Sequence, residues 1–180
     1  MKRSGWRTLL TAVVTAAALV VSGGAASAAT AAGGGHGHGL KPQTFKLLLV
    51  TGPHGKELVN VLTARGPIRG TGTDTQVSDT RDVFVFPKGT VNVDHQATTN
   101  NQPKVNEKTC TATFTEDGTF QLKGGTGKYK HVSGFGRYHL TGFFVLNRKD
   151  HKCDVNGEPK LSVIKIKAHG KATLGRHHRK

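Results

Sequence analysis

The stretch from Gly124 to Gly142, GGTGKYKHVSGFGRYHLTG, constrains the fold more than any other part of the chain. Gly124, Gly125 and Gly127 sit together, Gly134 follows, and glycine reaches positive-φ backbone that other residues adopt only at a cost. The run follows Thr119-Phe120-Gln121-Leu122 and precedes Gly136-Arg137-Tyr138-His139-Leu140, both short and alternating. A glycine-rich connection between two such segments reads as a β-connection with a bulge or a longer loop. A phosphate-binding loop would need a helix after the glycines. Val132, Ser133, Gly134 and Gly136 are poor helix material, and no Gly-Lys-Ser/Thr is present, so the run reads as a structural turn.

The remaining segments repeat the theme. Phe45 to Val50 is a compact apolar run stopped by Thr51-Gly52-Pro53. Leu58 to Ala64 fits helix or strand by composition; Val59, Val61 and Thr63 at period 2 favour strand. Ile68 to Asp74 carries Gly70 and Gly72 and reads as a bent strand, and Val77 to Thr80 as a polar turn. Asp82 to Phe86 and Thr90 to Gln96 flank Pro87-Lys88-Gly89 and form a hairpin. Asn106 to Glu116 alternates Cys110, Ala112 and Phe114 with threonines, which suits a strand with one outer face. Asp117-Gly118 gives the tightest hairpin signal in the chain. Gly136 to Asn147 and Leu161 to His169 are the last long alternating runs, joined by a basic loop, Arg148 to Lys160. About eight strands at this turn spacing describe an all-β barrel or sandwich, and spacing does not choose between them.

The first 28 residues stand apart. Lys2, Arg3 and Arg7 precede an apolar run, Leu9 to Val21, which is too short to span a bilayer, and Ala26-Ser27-Ala28 offers a small-x-small cleavage site. This pattern is that of a secretory signal peptide cut after Ala28, and no later stretch is apolar enough to span. The expected organisation is therefore signal peptide 1–28, a disordered Gly/His leader 29–44, a β-domain 45–169 and a basic disordered tail 170–180. His36 and His38, and His177 and His178, are pairs; a stable metal site needs three or four ligands, so none is expected. In an oxidising compartment the two cysteines, Cys110 and Cys153, are read as a disulfide rather than a catalytic thiol. It would close a loop of about 44 residues, worth roughly 4 kcal/mol.

Charge is unevenly placed. Residues 29–119 hold nine Lys/Arg against eight Asp/Glu, whereas residues 120–180 hold fourteen against three. Such asymmetry makes an anionic cell-surface polymer a candidate partner, the alternative being a solvated soluble face. Aromatics among these charges fall at strand spacing, which argues against base stacking and nucleic acid.

The Gly124–Gly136 segment, the run from Asp79 to Pro87 and Phe114 to Gly118 resemble the allene oxide cyclase and dirigent proteins, in particular the secreted bacterial allene oxide cyclase barrel-like branch. The resemblance spans roughly residues 45–169 and implies an eight-stranded antiparallel β-barrel of the calycin type. It implies a cavity for a small hydrophobic or phenolic molecule, with no cofactor. In the plant relatives such a cavity steers ring closure of a fatty-acid epoxide or the coupling of phenoxy radicals, both by holding one reactive conformation.

Catalysis would need polar groups turned inward. Asp79, Asp82, Arg65, His95, Glu107, Tyr129 and Tyr138 are the candidates, with Glu107, Tyr129 and Tyr138 foremost as catalytic groups. The alternative for Glu107 is a surface carboxylate beside Lys104 or Lys108; for Tyr129, packing over the glycine turn. Phe84, Phe86, His95, Phe114 and Phe143 are the candidates for ligand contact. No Ser-His-Asp order, zinc spacing or paired-carboxylate arrangement stands out. The expected function is a secreted barrel that binds a small apolar or aromatic ligand. The alternatives are a cyclase- or dirigent-type isomerase and a basic adhesion module.

Overall fold

The computed structural model describes residues 39–175. The expected signal peptide, both histidine pairs and the last part of the expected tail lie outside the described residues. Eleven strands run in order: β1 Lys41–Thr51, β2 Glu57–Arg65, β3 Gly70–Ser78, β4 Arg81–Phe86, β5 Gly89–Asn100, β6 Lys104–Asn106, β7 Thr111–Gly125, β8 Ser133–Val145, β9 Asn147–Lys149, β10 Lys152–Asp154 and β11 Leu161–Thr173. Eight of them close a barrel in the order β1-β2-β3-β4-β5-β7-β8-β11, and β11 returns to β1; every pairing is antiparallel. The β5–β7 ladder is the seam that turns an open sheet into a cylinder without free edges. Short β6 pairs outside the seam on β7, and β9 and β10 form a separate hairpin.

Alternation decides what faces in. On β1, Gln43, Phe45 and Leu47 are buried while Thr44, Lys46 and Leu48 are exposed. The inner layer continues with Leu62, Ala64, Phe86, Val91, Val93, Phe120 and Leu122. Leu62 and Val91 have no exposed surface, and each such side chain stabilises the fold by about 1.5–3 kcal/mol relative to exposure.

One end of the barrel is sealed. Gln43 is buried, yet its carboxamide is satisfied: Nε2 donates to the carbonyl of Ile68 at 3.1 Å, and the Ile68 amide donates to Oε1 at 2.9 Å. That exchange pins the β2–β3 connection across the opening. The glycine run seals the other side of this end. A single 3-10 turn, Gly127–Tyr129, tucks Tyr129 against Phe86 with ring centroids 5.7 Å apart. The Lys128 amide donates to the carbonyl of Lys88 at 2.8 Å, so the turn lies on the β4–β5 hairpin. Gly127 has φ 54 and its Cα faces that carbonyl; a Cβ there would be both strained and in collision.

Three expectations need correction. The strands outrun the expected leader and tail: Lys41 to Thr44 belong to β1, and Gly170 to Thr173 to β11. Pro42 sits near the start of β1, where proline is tolerated. The run expected over Gly136 to Asn147 is β8, Ser133–Val145, continuous through Gly142. Most important, Asp117-Gly118 is not a turn. Both residues lie inside β7, and Gly118 stands directly opposite Tyr138 on β8. A Cβ on Gly118 would run into Tyr138 ring carbons and the hydroxyl, so the glycine is a hole for that ring. The same complementarity pairs Gly136 with Phe120 and Gly142 with Phe114. Gly118→Ala is expected to displace Tyr138 and cost about 1–3 kcal/mol, as overpacking does. Urea unfolding checks this, and a midpoint unchanged from wild type would contradict the packing.

The cysteines form the expected disulfide. Cys110 and Cys153 have Cα atoms 5.2 Å apart and tie the turn before β7 to the β9–β10 hairpin. Around the bridge lies a second apolar cluster, Cys110, Ala112, Leu146 and Cys153, packed by Phe144 and Val155.

Candidate functional site

The inward series on several strands begin apolar at the sealed end and turn polar at the other. On β4 the inward residues are Phe86, Phe84, then Asp82; on β5 they are Val91, Val93, then His95. β7 contributes Leu122, Phe120, Gly118, then Glu116, and β8 adds Tyr138 opposite Gly118. Asp74 comes from β3. These groups ring a half-open cavity of about 70 Å³, floored by Phe45, Leu47, Leu62, Phe84, Val93, Phe120, Leu140, Ile166 and Ala168. A wider depression of about 680 Å³ lies outside, over Leu40, Gln121, Lys123, Gly124 and Phe135. No set of titratable groups converges there, so the inner cavity is the candidate site.

Two hydrogen-bonded pairs organise the mouth. Asp82 Oδ2 lies 3.3 Å from His95 Nε2. Tyr138 donates its hydroxyl to Glu116 Oε1 at 2.6 Å, and its ring meets that of His95 edge-on at 6.1 Å. The bond to Asp82 raises the pKa of His95 above its ordinary value, against the opposing effect of burial. Burial and the bond to Glu116 push the Tyr138 phenol upward, so it acts as a donor and not as a phenolate.

Asp74 is the third element. Asn60 on β2 clamps its backbone: the Asp74 amide donates to Oδ1 at 2.9 Å, and Nδ2 donates to the Asp74 carbonyl at 2.7 Å. Asp74 Oδ1 is buried and has no hydrogen-bond partner among the described residues. Burial first, and then the neighbouring charge of Asp82, push its pKa up to about 7. A carboxyl with its pKa raised to about 7, an imidazole with its pKa raised by Asp82 and a phenol thus face one apolar void. The arrangement can hold the polar end of a small molecule while its apolar end enters the barrel.

The other sequence candidates scatter. Phe84, His95, Asp82 and Tyr138 line the cavity. Phe86 lies deeper in the core and Tyr129 at the sealed end, neither in the cavity wall. Phe114 stacks on Phe144 at 5.4 Å, and Phe143 points outward, 38% exposed. Glu107 is exposed in the turn before β7, where its carbonyl accepts from Arg148. Asp79 and Arg65 are exposed. Gly124 has φ 74 in the turn, Gly125 packs on the Thr90 carbonyl, and Gly134 on β8 packs on that of Lys171.

Sequence reasoning missed Asp74 and Glu116. Asp74 sits among threonines with no apolar neighbour to mark an inner face, and Glu116 was masked by the turn reading of Asp117-Gly118. Among the described residues no three His, Cys, Asp or Glu side chains gather as metal ligands. Comparison with protein-family models, curated proteins and solved structures finds no match to the chain.

Proposed function

We propose that the barrel binds a small amphipathic molecule, apolar end first, at the Asp74–Tyr138 mouth. The observation that carries this reading is the conjunction of an apolar floor with five convergent polar side chains around one void. Three of the eleven acidic residues of a strongly basic chain meet there, which surface solvation does not require. Size narrows the ligand. The cavity, about 70 Å³, is far below the ~300–1,000 Å³ of drug-sized pockets. A small phenol or the short apolar end of a longer molecule suits it, and a whole fatty-acid chain does not.

Thermal unfolding with a panel of small phenols, alcohols, amines and fatty acids tests the reading. A ligand at a hundredfold excess over its Kd should stabilise the protein by about 2.7 kcal/mol. Filling the void with Leu62→Phe should abolish that stabilisation. If no compound shifts the wild-type midpoint, or the filled variant responds equally, the reading fails.

The raised pKa of Asp74 favours a second reading, an isomerase or cyclase of the allene oxide cyclase or dirigent type. A carboxyl with a pKa near 7 suits general-acid work on an epoxide or carbonyl oxygen. Turnover of a short-chain epoxide, lost in Asp74→Asn, would support it. Binding without turnover leaves the first reading alone.

A further inference from the structure

We infer that the outer wall formed by β1, β11 and β8 is a docking surface for a linear polyphosphodiester that carries no bases. The register sets its basic side chains in rows. Lys46 on β1 stands directly opposite Lys167 on β11, and Lys167 stands opposite His139 on β8. One step along, His169 faces Arg137; Lys165 and Lys171 extend the β11 row in both directions. All of these side chains are exposed. Like charges directly opposite destabilise a sheet. Among the described residues no carboxylate forms an ion pair with Lys46, Lys165, Lys167, Lys171 or Arg137. Asp117, the acid nearest in register, is engaged by His139 at 2.8 Å. A fold that keeps an unrelieved repulsion on one wall is expected to relieve it with an external anion.

The chemistry of the wall selects the anion. Strand rise places alternate residues about 6.7 Å apart and neighbouring strands about 4.8 Å apart, so the cations form a regular grid suited to a repeating polyanion. Four of the five permanent cations are lysines, which bind phosphate as point charges. The exposed rings Phe135 and Phe143 stand at opposite ends of β8, about 27 Å apart by strand rise, so successive bases find no stacking platform.

The test uses poly(glycerol phosphate), an oligo(dT) of equal charge and a polyuronate against the folded protein at several salt concentrations. Poly(glycerol phosphate) should bind with log affinity falling against log salt at a slope of about −3, as expected for roughly four neutralised phosphates. The variant K46Q/K165Q/K167Q/K171Q should lose roughly 100-fold in affinity at low salt and flatten the slope. A control with the same charge change elsewhere, K104Q/K108Q/K149Q/K152Q, should keep the wild-type slope. Removing the opposed lysines should also leave the melting temperature equal or higher, and the single variant K167Q gives the same reading if the quadruple one misfolds. Failure of poly(glycerol phosphate) to bind overturns the proposal. So does equal loss in the control, tighter binding of oligo(dT), which would indicate base recognition, or tighter binding of the polyuronate.

Discussion

At pH 8, Asp74→Asn is expected to be more stable than the wild type by about 2–4 kcal/mol, and at pH 4 the two should coincide. Asp74 has a carboxyl pKa raised from 3.8 to about 7. Below pH 3.8 both folded and unfolded chains carry the proton, and the group contributes nothing. Between 3.8 and about 7 the unfolded chain releases it while the folded chain retains it, so stability falls as pH rises. Above that window the penalty is full and constant. A shift of this size corresponds to on the order of 4 kcal/mol, reduced where water at the mouth screens the charge. The groups facing Asp74 are Asp82 on β4, His95 on β5 and Glu57 on β2. Asp82 and Glu57 repel its charged form, and His95 relieves it. The raised pKa of His95 adds a contribution of the same sign: it is present below the ordinary imidazole pKa and fades as pH rises through the folded value. That contribution is shared by wild type and variant, so it cancels largely in the difference. Urea midpoints at pH 4, 6 and 8 decide the matter; parallel stability curves for the two proteins would show that folding leaves the Asp74 pKa unshifted.

How much of this was legible in the sequence depends on the range of the interaction. Strand faces were, because a half-buried strand writes its own alternation: Phe45 and Leu47 on β1, and Ile164, Ile166 and Ala168 on β11, turn inward as period 2 requires. The glycine turn was legible as well, since positive φ at Gly124 and Gly127 calls for glycine locally. Closure was not, because the β5–β7 seam pairs segments that no local pattern joins. Gly118 misled for a physical reason. Aspartate followed by glycine is a turn signal when the glycine is needed for its backbone, whereas here it is needed for its missing side chain. That misreading also hid Glu116, whose inward direction follows once β7 is one continuous strand. Asp74 was illegible for the opposite reason. Its strand is polar on both faces, and only the cavity shows which face is inner.

Replacing both cysteines, Cys110→Ala with Cys153→Ala, is expected to lower stability by about 4 kcal/mol and the melting temperature by on the order of 10–20 °C. The bridge spans a sequence separation of 43 residues, and the loop that it closes holds the whole β7–β8 hairpin. Without it the unfolded chain regains the entropy of that loop. The folded side contributes less, for the bridge lies outside the barrel in its own small cluster. Cys110 adopts a left-handed φ of 51, and its carbonyl accepts from the Leu146 amide at 2.8 Å. That contact anchors the turn before β7 to the end of β8 independently of sulfur. The barrel of the variant should therefore still form, with its ligand response and its lysine wall intact, but at a lower melting temperature. The alternative is that the β9–β10 hairpin simply peels away while the barrel melts at the wild-type temperature. Near-ultraviolet circular dichroism with calorimetry separates the two. A melting shift below about 2 °C would place the bridge's contribution in the hairpin alone and remove the loop-entropy account.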